Sequence, residues 1–273
     1  MTSGGPDLVR EPTPELSIVL ATFNERENLP QLLDRLEATA LPPFELLVVD
    51  DGSADGTREF LEQKARSNGR LRLFWHDGKQ TTLRAQCQGI SAARGRYLII
   101  MDADLQHPPE VLPSMVDALS QGAAVVVGSR YAPGGSAGPR SRSRAAISRG
   151  AEWTAKALLP EARRVSDPVS GFFGFRRETF HPLPPEWRGY KLLLFLLVMS
   201  RGSSIAEVGY RFEPRASGAS KVTENTRFIR FFLTEVLLAR RFRCMLAARS
   251  SSVANHRESA SRAGKPPSRQ QPL

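Results

Sequence analysis

The chain holds only two cysteines, Cys87 and Cys244, in 273 residues. They lie far apart and form neither a metal-ligand spacing nor a disulfide framework, so a reducing compartment is the default expectation. Long apolar runs are also missing. The longest, Leu192 to Met199, is eight residues, whereas a spanning helix needs about 20, so no segment is expected to cross a membrane. The N-terminus carries Asp7, Arg10 and Glu11 and has no apolar stretch of the kind a secretory signal requires. No GxGxxG follows the first apolar run, which removes the dinucleotide fingerprint. Aromatics are 8% of the chain and show no base-stacking pattern, and no zinc-finger spacing occurs. No internal repeat is present.

What remains is 41% hydrophobic residues, enough for one sizeable core. The formal charge is +10 and the pI about 10.3. Such a chain attracts polyanions: nucleic acid, anionic lipid or phosphorylated substrates. The excess concentrates toward the C-terminal half, in Arg140, Arg142, Arg144, Arg149, Arg163 and Arg164, then in Arg227, Arg230, Arg240, Arg241 and Arg243. Nothing specific supports nucleic acid as the partner.

Residues 1–14 are polar and proline-bearing and read as a flexible arm. Strands and helices then alternate. Strands are predicted over Leu16–Ala21, Phe44–Val49, Leu71–His76, Tyr97–Met101 and Ala123–Val127. Helices are predicted over Arg26–Thr39, Thr57–Asn68, Thr82–Ala93 and Pro109–Gln121. This order argues for an α/β fold, a mainly parallel sheet with helices on both faces. After Arg130 a Gly/Pro loop (133–139) leads to a basic helix, Arg142 to Leu159. A short strand (Gly171–Arg177), a buried helix (Leu192–Ser200), an alternating strand (Ile205–Phe212) and a long helix (Thr226–Leu246) follow. Residues 250–273 are rich in Ser, Arg, Pro and Gln and read as a disordered tail.

The most informative stretch is Arg96 to Glu110. Its apolar run ends in Asp102-Ala103-Asp104-Leu105-Gln106. Side chains two apart along a strand point the same way. Just past the strand end, Asp102, Asp104 and Gln106 can converge on one cation. Hard oxygen ligands suit Mg²⁺ or Mn²⁺, which complete their shells with water and phosphates. The edge beyond the carboxyl ends of the strands is also where open α/β sheets place ligands. The plainer alternative is a strand-to-helix turn, with Asp104 as a cap and Pro108-Pro109 opening the helix.

Other strand ends supply related chemistry. The second strand delivers Asp50 and Asp51 to the same edge, where a carboxylate can accept from a base or ribose. Gly52 permits the turn, and Asp55 or Thr57 can cap the next helix. Asn24 and Glu25 follow the first strand. Arg130, Lys191 and Arg215 stand beyond later elements, where cations can neutralise phosphates.

Taken in order, Ala21-Thr-Phe-Asn24-Glu25-Arg-Glu-Asn28, Val49-Asp-Asp-Gly-Ser-Ala-Asp-Gly56, Asp102-Ala-Asp-Leu-Gln-His-Pro-Pro-Glu110, Gly128-Ser-Arg-Tyr131, Ser170-Gly171-Phe172 and Gly218-Ala-Ser-Lys221 resemble the family-2 glycosyltransferases. Within these they are similar to the dolichol- and polyprenol-phosphate sugar transferases. The resemblance covers about residues 16–222. It implies a GT-A fold over 15–222, a nucleotide-sugar donor, a polyprenyl or dolichyl phosphate acceptor and a divalent Mg²⁺ or Mn²⁺. Carried over by position, Ala21, Phe23, Glu25, Asp50, Asp51, Asp102, Ala103 and Gln106 would bind the nucleotide side of the donor, with Ser220 and Lys221 on a closing loop. Asp102, Asp104 and Gln106 would hold the metal. Asp104, Arg130, Lys191 and Arg215 would serve the chemistry, and Arg144 and Ser148 the acceptor phosphate.

The resemblance therefore implies inverting transfer of a hexose, mannose from GDP-mannose, onto the lipid phosphate. A UDP-glucose-dependent or saccharide-directed transferase of the same fold, or a non-catalytic nucleotide-sugar binder, is the alternative. Two positions depart from the family pattern. Phe195 stands where Glu is usual after Gly-Tyr-Lys, and Lys79-Gln80-Thr81-Thr82-Leu83 replaces a Lys-Gly-rich segment. A basic amphipathic helix over 223–249 would either lie on an anionic membrane surface or pack on the domain with a basic rim. The expected location is cytoplasmic, peripheral on the cytoplasmic face of a membrane.

Overall fold

The computed structural model describes residues 13–138, 142–183, 187, 191–214 and 232–246, with the side chains of 142–144 left out. Strands are β1 (Leu16–Thr22), β2 (Phe44–Asp50), β3 (Leu71–Trp75), β4 (Tyr97–Asp102), β5 (Val125–Ser129), β6 (Phe173–Arg176) and β7 (Ile205–Gly209). Helices are α1 (Leu29–Ala38), α2 (Thr57–Ala65), α3 (Thr82–Ala92), α4 (Leu112–Ser120), α5 (Arg142–Leu158) and α6 (Leu192–Met199), with α7 over residues 232–246. The arm at 1–12 and the tail at 250–273 lie outside the described residues.

The seven strands form one sheet in the order β3-β2-β1-β4-β6-β5-β7. All neighbours run parallel except β6, which is antiparallel to both β4 and β5. The period of two along each strand splits the core into two layers. Ile18, Leu20, Leu46, Val48, Ile99 and Met101 face the layer covered by α1, α2 and α4. Val19, Leu47, Leu98, Ile100, Val125 and Val127 face the layer covered by α3, α5, α6 and α7. Both faces of the central strands are buried, as their near-continuous apolar runs require. In α1 the period-3.6 stripe Leu29, Leu32, Leu33 and Leu36 is buried, and each such side chain contributes about 1.5–3 kcal/mol.

Several boundaries differ from the sequence reading. α1 begins at Leu29 rather than Arg26. Residues 25–28 instead form a turn in which the Asn28 and Leu29 N–H groups donate to the Glu25 carbonyl. Pro113, near the start of α4, follows a separate 3-10 turn at Pro109–Val111. β6 is shorter than predicted, and its reversed direction could not be read from side-chain period. α6 is buried on nearly every side, which is why its sequence is continuously apolar. For the predicted 226–246 helix, residues 232–246 are described. Phe232, Val236 and Ala239 are buried in the second layer, so the helix packs on the domain, while Leu233, Leu237 and Met245 remain exposed.

Candidate active site

The register places the motif residues at one sheet edge: Ala21 is paired with Asp102, Thr22 with Asp50, and Asp50 with Trp75. On the β1–β2 side the polar groups chiefly bind one another. The Asp50 carboxylate accepts from Gly52 N (3.2 Å), Ser53 N (2.8 Å), Ser53 Oγ (2.5 Å) and Thr22 Oγ1 (3.0 Å). Gly52 has φ +83°, and a Cβ there would meet Gly78 Cα at 2.9 Å, so only glycine fits this turn. The loop after β1 is tied to the same turn. Asn24 N donates to Ser53 Oγ (2.7 Å), Ala54 N to Asn24 Oδ1 (2.9 Å), and Glu25 N to Thr57 Oγ1 (3.1 Å). Glu25 itself is buried and accepts from Asn28 Nδ2 at 2.6 Å.

Asp51 faces a different group. It sits 2.9 Å from His76 Nδ1 and accepts from Gln80 N at 2.8 Å. His76 Nε2 lies 2.6 Å from Gln88 Oε1. His76, Gln80 and Gln88 join Trp75, Asp77 and Arg84 around a cavity of about 400 Å³, within the usual range for small-ligand sites. Lys79 lies over the Phe23 ring, 4.3 Å from its centroid. The adjacent predicted pair Asp50-Asp51 is thus divided: one carboxylate organises the turn, and the other meets the side chains that line the cavity.

On the β4–β5 side the site is made of buried charge. Asp102 closes β4, and its N–H donates to His107 Nδ1 at 3.0 Å. His107 is buried and stacks on Phe172 with centroids 5.0 Å apart. Burial pushes its pKa down to about 4, against the nearby Asp104 charge, so the ring is neutral and accepts at Nδ1. The loop reverses through Leu105, a buried non-glycine at φ +64°, a strained conformation of the kind found at functional turns. Asp104 is buried and accepts from Gln106 N at 3.1 Å. The Gln106 side chain directs its amide nitrogen to the Glu213 carbonyl at 3.3 Å. Beside Asp102 stands Gly171, where a Cβ would lie 3.4 Å from Asp102 Oδ2.

These features fit a divalent ion. Asp102 is 44% exposed in its side chain, its oxygen and that of Asp104 are hard donors, and Gly171 has no side chain to crowd Asp102. Among the described residues no three His, Cys, Asp or Glu side chains form a closed metal cage.

Arg130 follows β5 and forks onto Asp167, with Nε 2.7 Å and Nη2 2.8 Å from the two carboxylate oxygens. Asp167 is fully buried. Burial alone would lower the guanidinium pKa, but the bonds and charge of Asp167 outweigh it, and the net shift is upward. Lys191 precedes α6 and donates from Nζ to the Val169 carbonyl at 2.9 Å. Burial, with Arg130 adding to it, pushes the Lys191 pKa down, while Glu235, Asp102 and Asp167 oppose the shift. Segment 167–171 thus bonds to Arg130 and Lys191 and passes beside Asp102.

Ser148 on α5 donates to Glu152 Oε1 at 3.3 Å. Glu152 is buried and its pKa is raised by that burial, with bonds from Tyr131 and Ser148 opposing the rise. The Arg144 side chain and all of Arg215, Ser220 and Lys221 lie outside the described residues. Phe195 is fully buried, packed between Trp187 and Phe242. His76, His107, Asp167 and Glu235 are not among the residues that the sequence motifs single out. Only His107 carried a local signal, standing inside the Asp102–Glu110 motif.

Residues 17–183 match the glycosyl transferase family 2 domain. A dolichol-phosphate mannosyltransferase of Pyrococcus furiosus is 36% identical over 78% of the chain and 61% of its own length. The chain therefore spans about three fifths of that relative. The Mycosarcoma maydis protein of the same name is 35% identical over 85% of the chain and 81% of its own length. Among solved structures, glucosyl-3-phosphoglycerate synthase of Mycobacterium tuberculosis, in complex with Mn²⁺, UDP and glucosyl-3-phosphoglycerate, superposes with a TM-score of 0.62. Its identity is 21%, and the match covers 85% of this chain and 80% of that one. The architecture is the GT-A fold, and no helix among the described residues is long and apolar enough to cross a membrane. With its strand-end carboxylates and cations gathered at one edge, the chain belongs to glycosyl transferase family 2.

Proposed function

We propose that this chain transfers mannose from GDP-mannose to a polyprenyl or dolichyl phosphate, with inversion at the anomeric carbon. The observation that supports this reading is that segment 167–171 bonds to Arg130 and Lys191 and passes beside Asp102 at the carboxyl end of β4. The names of the relatives supply the lipid phosphate and the sugar.

The nucleotide occupies the Asp51 side, with Phe23 and Glu25 on the neighbouring loop. Asp102 and Asp104 hold Mg²⁺ or Mn²⁺, which when bound supplies Lewis-acid stabilisation of the departing diphosphate. Lys191 and Arg130 add fixed positive charge, preorganised by Val169 and Asp167, where negative charge develops. Arg215, Ser220 and Lys221 are proposed to complete the phosphate side, and Arg144 and Ser148 to receive the acceptor phosphate. That phosphate, with a second pKa near ~6, is already anionic at neutral pH. Its oxygen bonds to the anomeric carbon as the bond to the diphosphate oxygen breaks, with no protein base required. Holding both reactants in line supplies much of the acceleration. Access to the lipid is proposed at a membrane surface on its cytoplasmic face, where the exposed Leu233 and Leu237 of α7, beside Arg240 and Arg241, meet anionic head groups.

A donor panel tests the reading. Radiolabelled GDP-mannose is expected to yield chloroform-soluble product with polyprenyl phosphate and Mn²⁺, and UDP-glucose is not. Product from UDP-glucose alone, or transfer only to saccharides, would replace the mannosyl assignment.

A further inference from the structure

One buried charged group that the reaction above leaves unused is Glu235. It sits in α7 at 2% exposure, between the buried Phe232, Val236 and Ala239. A carboxylate in such surroundings is destabilising unless it is paired and hydrogen-bonded. Glu235 Oε1 accepts from the backbone N–H of Lys191 at 2.6 Å, a short, charge-assisted bond. Lys191 lies just before α6 with φ −111° and ψ 73°, outside the helical region, so its N–H faces out of the helix and needs a partner from elsewhere. The other end of the same residue, Nζ, is held by the Val169 carbonyl at 2.9 Å. Two residues back, Asp167 grips Arg130.

α7 does not depend on this bond for its place. Its buried apolar face, the contact of Phe242 with Phe195, and the 2.8 Å pair between Arg243 and Glu161 already dock it. What the carboxylate adds to that packing is its bond to the Lys191 backbone.

We propose that Glu235 is a positioning residue that reaches from α7 to fix the Lys191 backbone, so that the Lys191 ammonium stands against the donor diphosphate. This rests on the diphosphate role given to Lys191 under the proposed function. It makes the seating of α7 a condition for a competent phosphate site.

A double-mutant cycle on the full chain tests it, read both as kcat and KM for transfer and as affinity for GDP with Mn²⁺ by calorimetry. Glu235→Ala is expected to lower kcat by about 10-fold or more, since small misplacements of positioned groups are costly in rate. It should also weaken GDP·Mn²⁺ binding in the same sense as Lys191→Ala and leave the acceptor KM within about 2-fold. Glu235→Gln, which keeps an oxygen acceptor, is expected to return kcat to within about 3-fold of wild type. In the Lys191→Ala background, Glu235→Ala should add less than about 2-fold to either readout. Wild-type behaviour of Glu235→Ala beside an impaired Lys191→Ala overturns the inference alone. Fully multiplicative effects of the two changes also overturn it, because Glu235 would then act independently of Lys191. Wild-type behaviour of Lys191→Ala in both readouts removes the role of Lys191 itself, and the inference with it.

Discussion

On the β1–β2 side of the site, the loops after two neighbouring strands are laced together by backbone N–H groups, hydroxyls and the Asp50 carboxylate. On the β4–β5 side, charges from distant parts of the chain are buried against one another. Asp50 has four hydrogen-bond donors from Thr22, Gly52 and Ser53, three of them from its own turn. Arg130 and Asp167, by contrast, are a pair of opposite full charges, and neither could be buried without the other. The first region presents a rigid frame to a ligand. The second stores electrostatic potential whose arrangement only the complete fold maintains.

The sharpest way to break the contrast is Asp167→Ala. It strands the Arg130 guanidinium in a buried setting and is expected to lower stability by about 3–5 kcal/mol in urea unfolding. A loss under about 1 kcal/mol would mean that water reaches Arg130 and that the pair is not the anchor described.

A second test uses pH. The His107 pKa falls to about 4 in the folded chain from an ordinary value of 6.5, so between those values the unfolded chain binds more protons. The stability tied to neutral His107 is therefore present above about pH 6.5 and lost as pH falls toward 4. It amounts to roughly 3 kcal/mol over the window. In His107→Asn, whose amide oxygen can still accept from Asp102 N, stability measured with EDTA present should vary less with pH between 6.5 and 4. An unchanged slope would place the titration elsewhere.

The smallest effect is expected on the turn side. Asp50→Ala leaves the Gly52 and Ser53 N–H groups without their acceptor and should cost about 1–3 kcal/mol of stability. Transfer activity per folded molecule should fall less than in Asp104→Ala. If Asp50→Ala instead abolished nucleotide binding while leaving stability intact, the division between the two adjacent aspartates would be wrong.

Much of this was legible in the sequence because the signals were local. Apolar runs ending in carboxylates marked β2 and β4, and the alternation of apolar runs with helical stripes gave the mainly parallel sheet. The Asp102–Glu110 motif lies where it was expected. The reversed direction of β6 was hidden, because an apolar segment buried on both faces reads the same in either direction. Asp167 stands before Pro168 and looks like an ordinary turn residue; its role depends on Arg130 lying opposite. Glu235 carries no local signal, because its partner, the Lys191 amide, is 44 residues away. Phe195, a departure from the family pattern, proves to be a core residue whose reason is Phe242 on α7.

The central claim is that the β4–β5 side holds the ion and the donor diphosphate and so carries the chemistry. Transfer of mannose from GDP-mannose to polyprenyl phosphate, measured for wild type and Asp104→Ala at matched thermal stability, tests it most directly. The account predicts a loss of about 100-fold or more in kcat/KM that added Mn²⁺ does not restore. Equal product from the two proteins would contradict it.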